Sequence, residues 1–336
     1  MGAEDNPRLP LTELSLNDVQ TILPPAFVGQ LDRLFMCGNY GDPIAARDTL
    51  AVSEYLKEAN PAIKLGMNTN ASARNEAWWA RLGGIFGSQG VVRFSVDGLA
   101  DTNPLYRQGT DFDRIMKNAA AFIGAGGRAV WDYIVFRHNE HQVEEAREIA
   151  TRMGFEQFQV KKTGRFFSTS KAAGKDHQDV MRRDGTVSHV LEKPLDLKYQ
   201  NEALANEQAL IARYGSLPAY FDQTPIRCKT GAEKSVYVSA EGLVFPCCWT
   251  ANQLYGWYWK DERQAPIWRL IEAAGDKTAI DAKLRSISEI IEGPLFQGIQ
   301  DSWSKPTCAA GKLQVCAKTC GTAFDPFKAQ FKGDEE

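Results

Sequence analysis

Between residues 33 and 162 the chain repeats one pattern, a short apolar run followed by a longer amphipathic segment. "RLFMC" (33–37), "AIKLGMN" (62–68), "VVRFSVD" (91–97), "AVWDYIVF" (129–136) and "EQFQVKK" (156–162) read as strands. They are short, and β-branched and aromatic residues recur in them. The segments between them have helical period. "AARDTLAVSEYLKEAN" places Leu50, Tyr55, Leu56 and Ala59 on one face, and "SARNEAWWARLGG" is expected to open at Ser72 and close at Gly83. "DFDRIMKNAAAFIGAGG" runs out at glycines, and "HQVEEAREIATRMG" stops at Gly154. Strands separated by helices of this length do not pair as hairpins. They form a parallel sheet with right-handed crossovers, an α/β fold.

The chain ahead of this repeat begins mid-cycle. "SLNDVQTILPPAF" is a helix with Ser15 as its N-cap and a stop at Pro24-Pro25, and no strand precedes it. "MGAEDNPRLPLTEL" has no apolar core of a signal peptide, and no apolar run approaches the roughly 20 residues of a membrane helix. A net charge of −3 gives no electrostatic case for an obligatory nucleic-acid or membrane partner. The chain is therefore expected in the cytoplasm.

After residue 162 the pattern changes. Residues 163–194 are basic, contain Gly and Ser, and are expected to form a loop or excursion. "LKYQNEALANEQALIARYG" reads as one long helix, "KSVYVSAEGLVFPCC" as a hairpin with an Ala-Glu-Gly turn, and 262–303 as mainly helical. Six of the seven cysteines lie between Cys228 and Cys320. In a cytosolic chain such a concentration points to metal or redox chemistry rather than to disulfides. Cys228 and Cys247 flank the hairpin turn with the spacing C-x13-G-x4-C, and Cys316 and Cys320 share the turn "CAKTCG". Four thiolates can converge on one centre, either zinc or an iron–sulfur cluster, and spacing does not separate the two. Cys248 follows a candidate ligand directly, so it is expected on the opposite side of the strand, and Cys308 is spare. Cys37 has no partner cysteine nearby and reads as a small packed side chain.

With these motifs in place the chain resembles the radical S-adenosylmethionine (SAM) enzymes that carry a C-terminal auxiliary cluster domain of the SPASM or shorter twitch type. The hairpin and "CAKTCG" resemble that auxiliary domain. The repeat is similar to the family's partial (β/α)6 barrel, and four stretches fall in the family's order: "CGNYGDP", "MNTNAS", "RFSVDGLADTNPLYRQG" and "VFRHNEHQVEEA". The resemblance implies a barrel in 1–162, an excursion and bridging helix in 163–215 and an auxiliary domain in 216–330. It implies SAM contacts at Gly38, Asn39, Gly41, Asp42, Asn68, Asn70, Ser95 and Asp97, at the C-terminal ends of strands where parallel folds bind ligands. It also implies an auxiliary [4Fe–4S] cluster on Cys228, Cys247, Cys316 and Cys320, an electron donor such as a flavodoxin or ferredoxin, and a peptide or small-molecule substrate. Asn68 and Asn70 taken alone read as turn residues, and Arg107 reads equally as a carboxylate ligand or a surface arginine. His138 and His141 read as surface, and Trp78, Trp79 and Trp131 as packing.

One departure is large. The family's C-x3-C-x2-C motif, which holds the cluster that reduces SAM, is absent, as is the strand before it. The expectation is a chain truncated at its front; the alternative is a member that kept the fold and lost the radical chemistry. The functional readings are thus a radical SAM enzyme in full-length form, generating a 5′-deoxyadenosyl radical and modifying a peptide, or a non-catalytic iron–sulfur or zinc protein acting as scaffold or electron carrier.

Overall fold

The computed structural model describes residues 9–164, 166, 176–181, 186–256 and 261–323. They fall into two compact units, one spanning Leu23–Asn201 and the other joining the chain before Leu23 to the chain from Glu202 onward.

The first unit is built on five parallel strands, β1 (Arg33–Met36), β2 (Lys64–Thr69), β3 (Val91–Ser95), β4 (Arg128–Ile134) and β5 (Gln157–Lys161). Their order in the sheet is their order in the chain. Helices α1 (Thr49–Ala59), α2 (Glu76–Phe86), α3 (Phe112–Gly124) and α4 (Val143–Met153) make the crossovers. With every step taken in the same direction, right-handed crossovers put all four helices on one face. This is the parallel α/β arrangement expected from the repeat. Alternate strand residues Met67, Val92, Phe94 and Trp131 are buried. Trp79 of α2 meets Phe94 at 5.4 Å between ring centroids, and Phe94 meets Phe122 of α3 at 5.9 Å. Trp79 and Trp131 are packing residues, as expected.

The caps of α2 differ from the expectation. Asn75 accepts the Trp78 N–H at 3.0 Å and opens the helix, while Gly87, with φ of +54°, closes it. Gly83 lies inside the helix instead of ending it. A Cβ there would sit 2.4 Å from the Phe122 carbonyl oxygen, so Gly83 marks where α2 and α3 touch backbone to backbone. Gly154 does stop α4, in the left-handed region at φ +83°.

Two expectations beyond β5 are corrected. The described part of 163–194, expected as a loop or excursion, contains an antiparallel hairpin, β6 (His177–Met181) and β7 (Val187–Glu192), that the sequence reading did not give. Its strands are short and carry His, Asp and Ser among few apolar residues, so the period of two is faint in the sequence. Residues 165, 167–175 and 182–185 of that stretch lie outside the described residues, as do 1–8 of the N-terminal segment and everything past 323. The expected long helix is also broken: a single 3₁₀ turn at Leu197–Tyr199 is followed by α5 (Ala203–Tyr214).

The second unit holds α5, α6 (Leu217–Gln223), a two-stranded hairpin β8 (Tyr237–Val238) and β9 (Val244–Phe245), several short helices, and α7 (Gln314–Cys320). Ser15 opens the Leu16–Ile22 helix as expected: its Oγ accepts the Asp18 N–H at 3.2 Å. Leu210, Leu217, Tyr220, Phe221 and Ala317 form one apolar cluster of this unit. Gly242, at φ +91°, makes the expected hairpin turn, with its N–H on the Ser239 carbonyl at 2.9 Å. The 262–303 stretch is helical in short pieces at Pro266–Ala273, Ile287–Ile291 and Pro294–Ser302.

Candidate functional site

The loop after β1 is tied to the end of β2 by one side chain. Asp42 Oδ2 accepts the Thr69 hydroxyl at 3.0 Å and the Asn70 N–H at 2.8 Å, and its Oδ1 accepts the Ile44 N–H at 3.2 Å. Burial pushes the Asp42 carboxyl up, and these donors pull it back. Gly38 sits at φ +60°, and a Cβ there would come within 2.8 Å of the Gly41 carbonyl oxygen. Asn39 and Gly41 are exposed, and a Cβ on Gly41 would meet nothing within 4 Å. The turn is thus anchored at Asp42 and open at Asn39 and Gly41. Arg74 braces it from the next loop, donating from Nε to the Ile44 carbonyl at 2.7 Å and from Nη2 to the Ala46 carbonyl at 2.8 Å. Cys37 is half-buried, and burial pushes its thiol up.

The remaining expected contacts separate into two kinds. Asn70 Oδ1 accepts the N–H of Ser72 at 3.0 Å and its hydroxyl at 2.7 Å, so this side chain shapes its own turn. Asp97 is fully buried. Its Oδ1 accepts the Ile134 N–H at 2.6 Å and its Oδ2 the Arg107 Nε–H at 2.6 Å. Asn139 donates to its backbone carbonyl at 2.9 Å. Asp97 therefore joins the ends of β3 and β4 and aims Arg107, which is no surface arginine. Asn68 differs: its Oδ1 is buried and accepts no hydrogen bond among the described residues. Ser95 is half-buried on the same face of the sheet.

That face, opposite the helices, holds four residues that sequence reasoning missed. Register and alternation align Asn68, Arg93, Ser95, Asp132, Gln159 and Lys161. Arg93 Nη1 donates to Asp132 Oδ1 at 3.1 Å and to Gln159 Oε1 at 2.8 Å. Lys161 Nζ donates to Asp132 Oδ2. The available signal was a lone charge inside an otherwise apolar strand, as in "AVWDYIVF". His138 was misplaced as a surface residue. It stacks on Phe136 at 5.4 Å, its Nε2 is buried and unpartnered, and burial lowers its pKa to about 4. His141 is exposed, as expected.

In the second unit the backbone brings two of the cysteines together. Arg227 N–H donates to the Cys320 carbonyl at 3.0 Å and Thr322 N–H to the Pro225 carbonyl at 3.1 Å, which sets Cys228 beside Cys320. Cys228 accepts from Cys320, from Thr230 and from the Gly231 N–H; those donors lower its pKa, while Cys320 is raised by the same contact. Cys316 and Cys320 are four apart on α7 and share a face. Burial pushes the Cys316 thiol up to about 12, and the nearby Cys247 and Cys228 add to the rise. Trp303 Nε1–H is buried and faces the Cys316 sulfur, which draws that thiol's pKa partly back. Among the described residues no three His, Cys, Asp or Glu side chains form a ready metal cage. Cys308 stands apart: its N–H and its thiol both face Asp222, the former at 2.6 Å, and burial with that carboxylate raises the thiol to about 11.

No helix among the described residues is long and apolar enough to cross a membrane. No family model matches the sequence, and no curated protein does. Among solved structures the chain is similar to SuiB of Streptococcus suis, with 17% identity over 71% of this chain and 55% of that one, at a TM-score of 0.45. It spans about half the length of SuiB, a further structure of which holds S-adenosylmethionine. It is also similar to anSMEcpe with bound AdoMet, with 13% identity over 94% of this chain and 87% of that one, at a TM-score of 0.48. A structure of anSMEcpe with AdoMet and the Kp18Cys peptide matches at 14% identity over the same shares, at a TM-score of 0.47.

Proposed function

We propose that the protein is a SAM-binding member of the radical SAM enzymes, acting on a peptide and carrying an auxiliary metal centre. One observation carries this reading: the anchored, open turn Gly38–Asp42 lies at the C-terminal end of a parallel sheet, locked by Asp42 to the end of β2. Such a turn offers backbone donors and acceptors to a zwitterionic amino acid group without a side chain in the way. Gly38, Asn39 and Gly41 would meet the SAM amino group, and Ser95 would face the ligand from the neighbouring strand. Asp42, Asn70 and Asp97 act behind them, holding the turns.

Cys228, Cys247, Cys316 and Cys320 are the donor set of the auxiliary centre. Four thiols in one unit, Cys228 beside Cys320 and held toward the thiolate and Cys316 facing the Trp303 indole N–H, are the chemistry a soft cation or an iron–sulfur cluster takes. When bound, such a cluster supplies one-electron chemistry or an anchor for substrate. A flavodoxin or ferredoxin is the electron donor we assign.

A second reading, a metal-binding protein without radical chemistry, is favoured by one feature: none of the seven cysteines stands in the C-x3-C-x2-C spacing. Anaerobic reconstitution with iron and sulfide of the protein expressed with any residues encoded in frame ahead of Met1, followed by SAM and dithionite, decides between them. Release of 5′-deoxyadenosine supports the enzyme; SAM recovered intact by a cluster-loaded chain supports the second reading. About four irons with matching sulfide is the expected loading of the auxiliary site. Zinc without sulfide removes the iron–sulfur assignment.

A further inference from the structure

On the open face of the sheet one carboxylate holds two cations. Asp132 is buried, and both Arg93 and Lys161 donate to it. One negative charge is thus shared between two cations, so Arg93 is only partly neutralised by it. The next carboxylate, Asp97, is closed off by Arg107 and the Ile134 N–H. Arg93 spends only Nη1, on Asp132 and Gln159. Among the described residues its Nε and Nη2 donate to nothing, and its side chain is 31% exposed. In register beside it stands Asn68, whose buried Oδ1 accepts nothing. The face thus presents an unused donor edge of a guanidinium, fixed in direction by two acceptors, next to an unused acceptor.

We propose that Arg93, backed by Lys161 and aimed by Asp132 and Gln159, anchors a carboxylate of the substrate, while Asn68 Oδ1 takes an adjacent amide N–H. A guanidinium with a free edge matches a carboxylate in two parallel hydrogen bonds, which a lysine cannot do. A peptide residue with a free carboxylate offers the acid and the N–H together. The assignment rests on reading this face as the ligand face, and it adds the chemical class that face selects.

The test uses the full chain with two small probes, N-acetylalanine and its uncharged analogue N-acetylalaninamide, titrated by calorimetry, with SAM binding measured in parallel by equilibrium dialysis. The acid is expected to bind at least about ten-fold more tightly than the amide. Arg93→Met should cost the acid about ten-fold or more and leave SAM within about two-fold, since Asp132 keeps Lys161. Asp132→Asn should strengthen acid binding, because Arg93 then faces the ligand without a neutralising carboxylate. A merely structural Asp132 would not give that gain. Circular dichroism and the melting temperature establish that each variant is folded. Equal binding of acid and amide, no binding of the acid at millimolar concentration, or weaker acid binding by folded Asp132→Asn overturns the proposal. So does a parallel loss of SAM in Arg93→Met, which would assign Arg93 to SAM. If the wild type fails to bind SAM while the acid pattern holds, the SAM reading falls and the carboxylate site stands.

Discussion

Arg107 donates its Nε–H to Oδ2 of Asp97 at 2.6 Å, and that carboxylate has no exposure to solvent. The pair sits where β3 ends, and the other oxygen of the same carboxylate holds the Ile134 N–H of β4. Burial pushes the Asp97 carboxyl up, and Arg107 is the foremost group opposing that rise. Arg107→Ala would leave a buried carboxylate without its cation, a loss on the order of 3–5 kcal/mol. Urea unfolding should show this as a lower midpoint with an unchanged slope. Arg107→Lys keeps the charge but not the fixed fork, and should recover part of the loss. A wild-type midpoint for Arg107→Ala would mean the pair contributes nothing.

Two glycines in one turn are expected to respond differently to the same substitution. Gly38→Ala forces a side chain into the left-handed region and against the Gly41 carbonyl, at a cost of roughly 1–3 kcal/mol. Gly41→Ala meets nothing within 4 Å and should leave the melting temperature unchanged. If the turn receives SAM by close approach of its backbone, Gly41→Ala weakens SAM binding without destabilising the fold. Unchanged SAM affinity in that variant would remove Gly41 from the site.

The thiols should react in a set order in metal-free protein. Cys228 accepts from Cys320, Thr230 and the Gly231 N–H, which favour its thiolate, whereas burial holds Cys316 and Cys308 protonated. Iodoacetamide at neutral pH, followed by peptide mass spectrometry, should therefore modify Cys228 ahead of those two. Loading with iron and sulfide should protect Cys228 and leave Cys308 as it was.

Stability should fall in mild acid because of His138. Its folded pKa is lowered to about 4, by burial first and then by His189 and His141, so the unfolded chain binds its proton earlier. With more protons on the unfolded state, stability rises with pH between the folded pKa near 4 and the unfolded value of 6.5, and is lost as pH falls through that window. His138→Gln should flatten the dependence. Urea midpoints of both proteins at pH 7 and pH 5 check this; parallel slopes would exclude His138 as the source.

The repeat was readable because burial against the helices recurs from strand to strand: the runs around Phe35, Met67, Phe94, Trp131 and Val160 are the five strands seen. The pairing of Cys228 with Cys320 follows from backbone bonds at Pro225–Arg227, which leave no periodic mark, so the spacing could nominate the thiols but not say which are neighbours. Gly83 misled because a glycine that ends a helix and one that lets two helices touch are the same letter. Arg93, Asp132 and Lys161 were overlooked for a related reason. A charge in an apolar strand gains meaning only when register shows which neighbour shares its face. Asp97 was legible as important, but its role behind Arg107 depends on a hydrogen bond from a strand nearly forty residues away.

The short backbone ladder between Pro225–Arg227 and Cys320–Thr322 closes a loop of about ninety residues, and the thiols sit at its mouth. A ligand held there would act as a clasp on the chain's entropy, restricting the unfolded ensemble of the larger part of the second unit. Occupancy and folding of that unit would then be one equilibrium, so a chelator would be felt at Leu217 and Ile299 as much as at the sulfurs themselves.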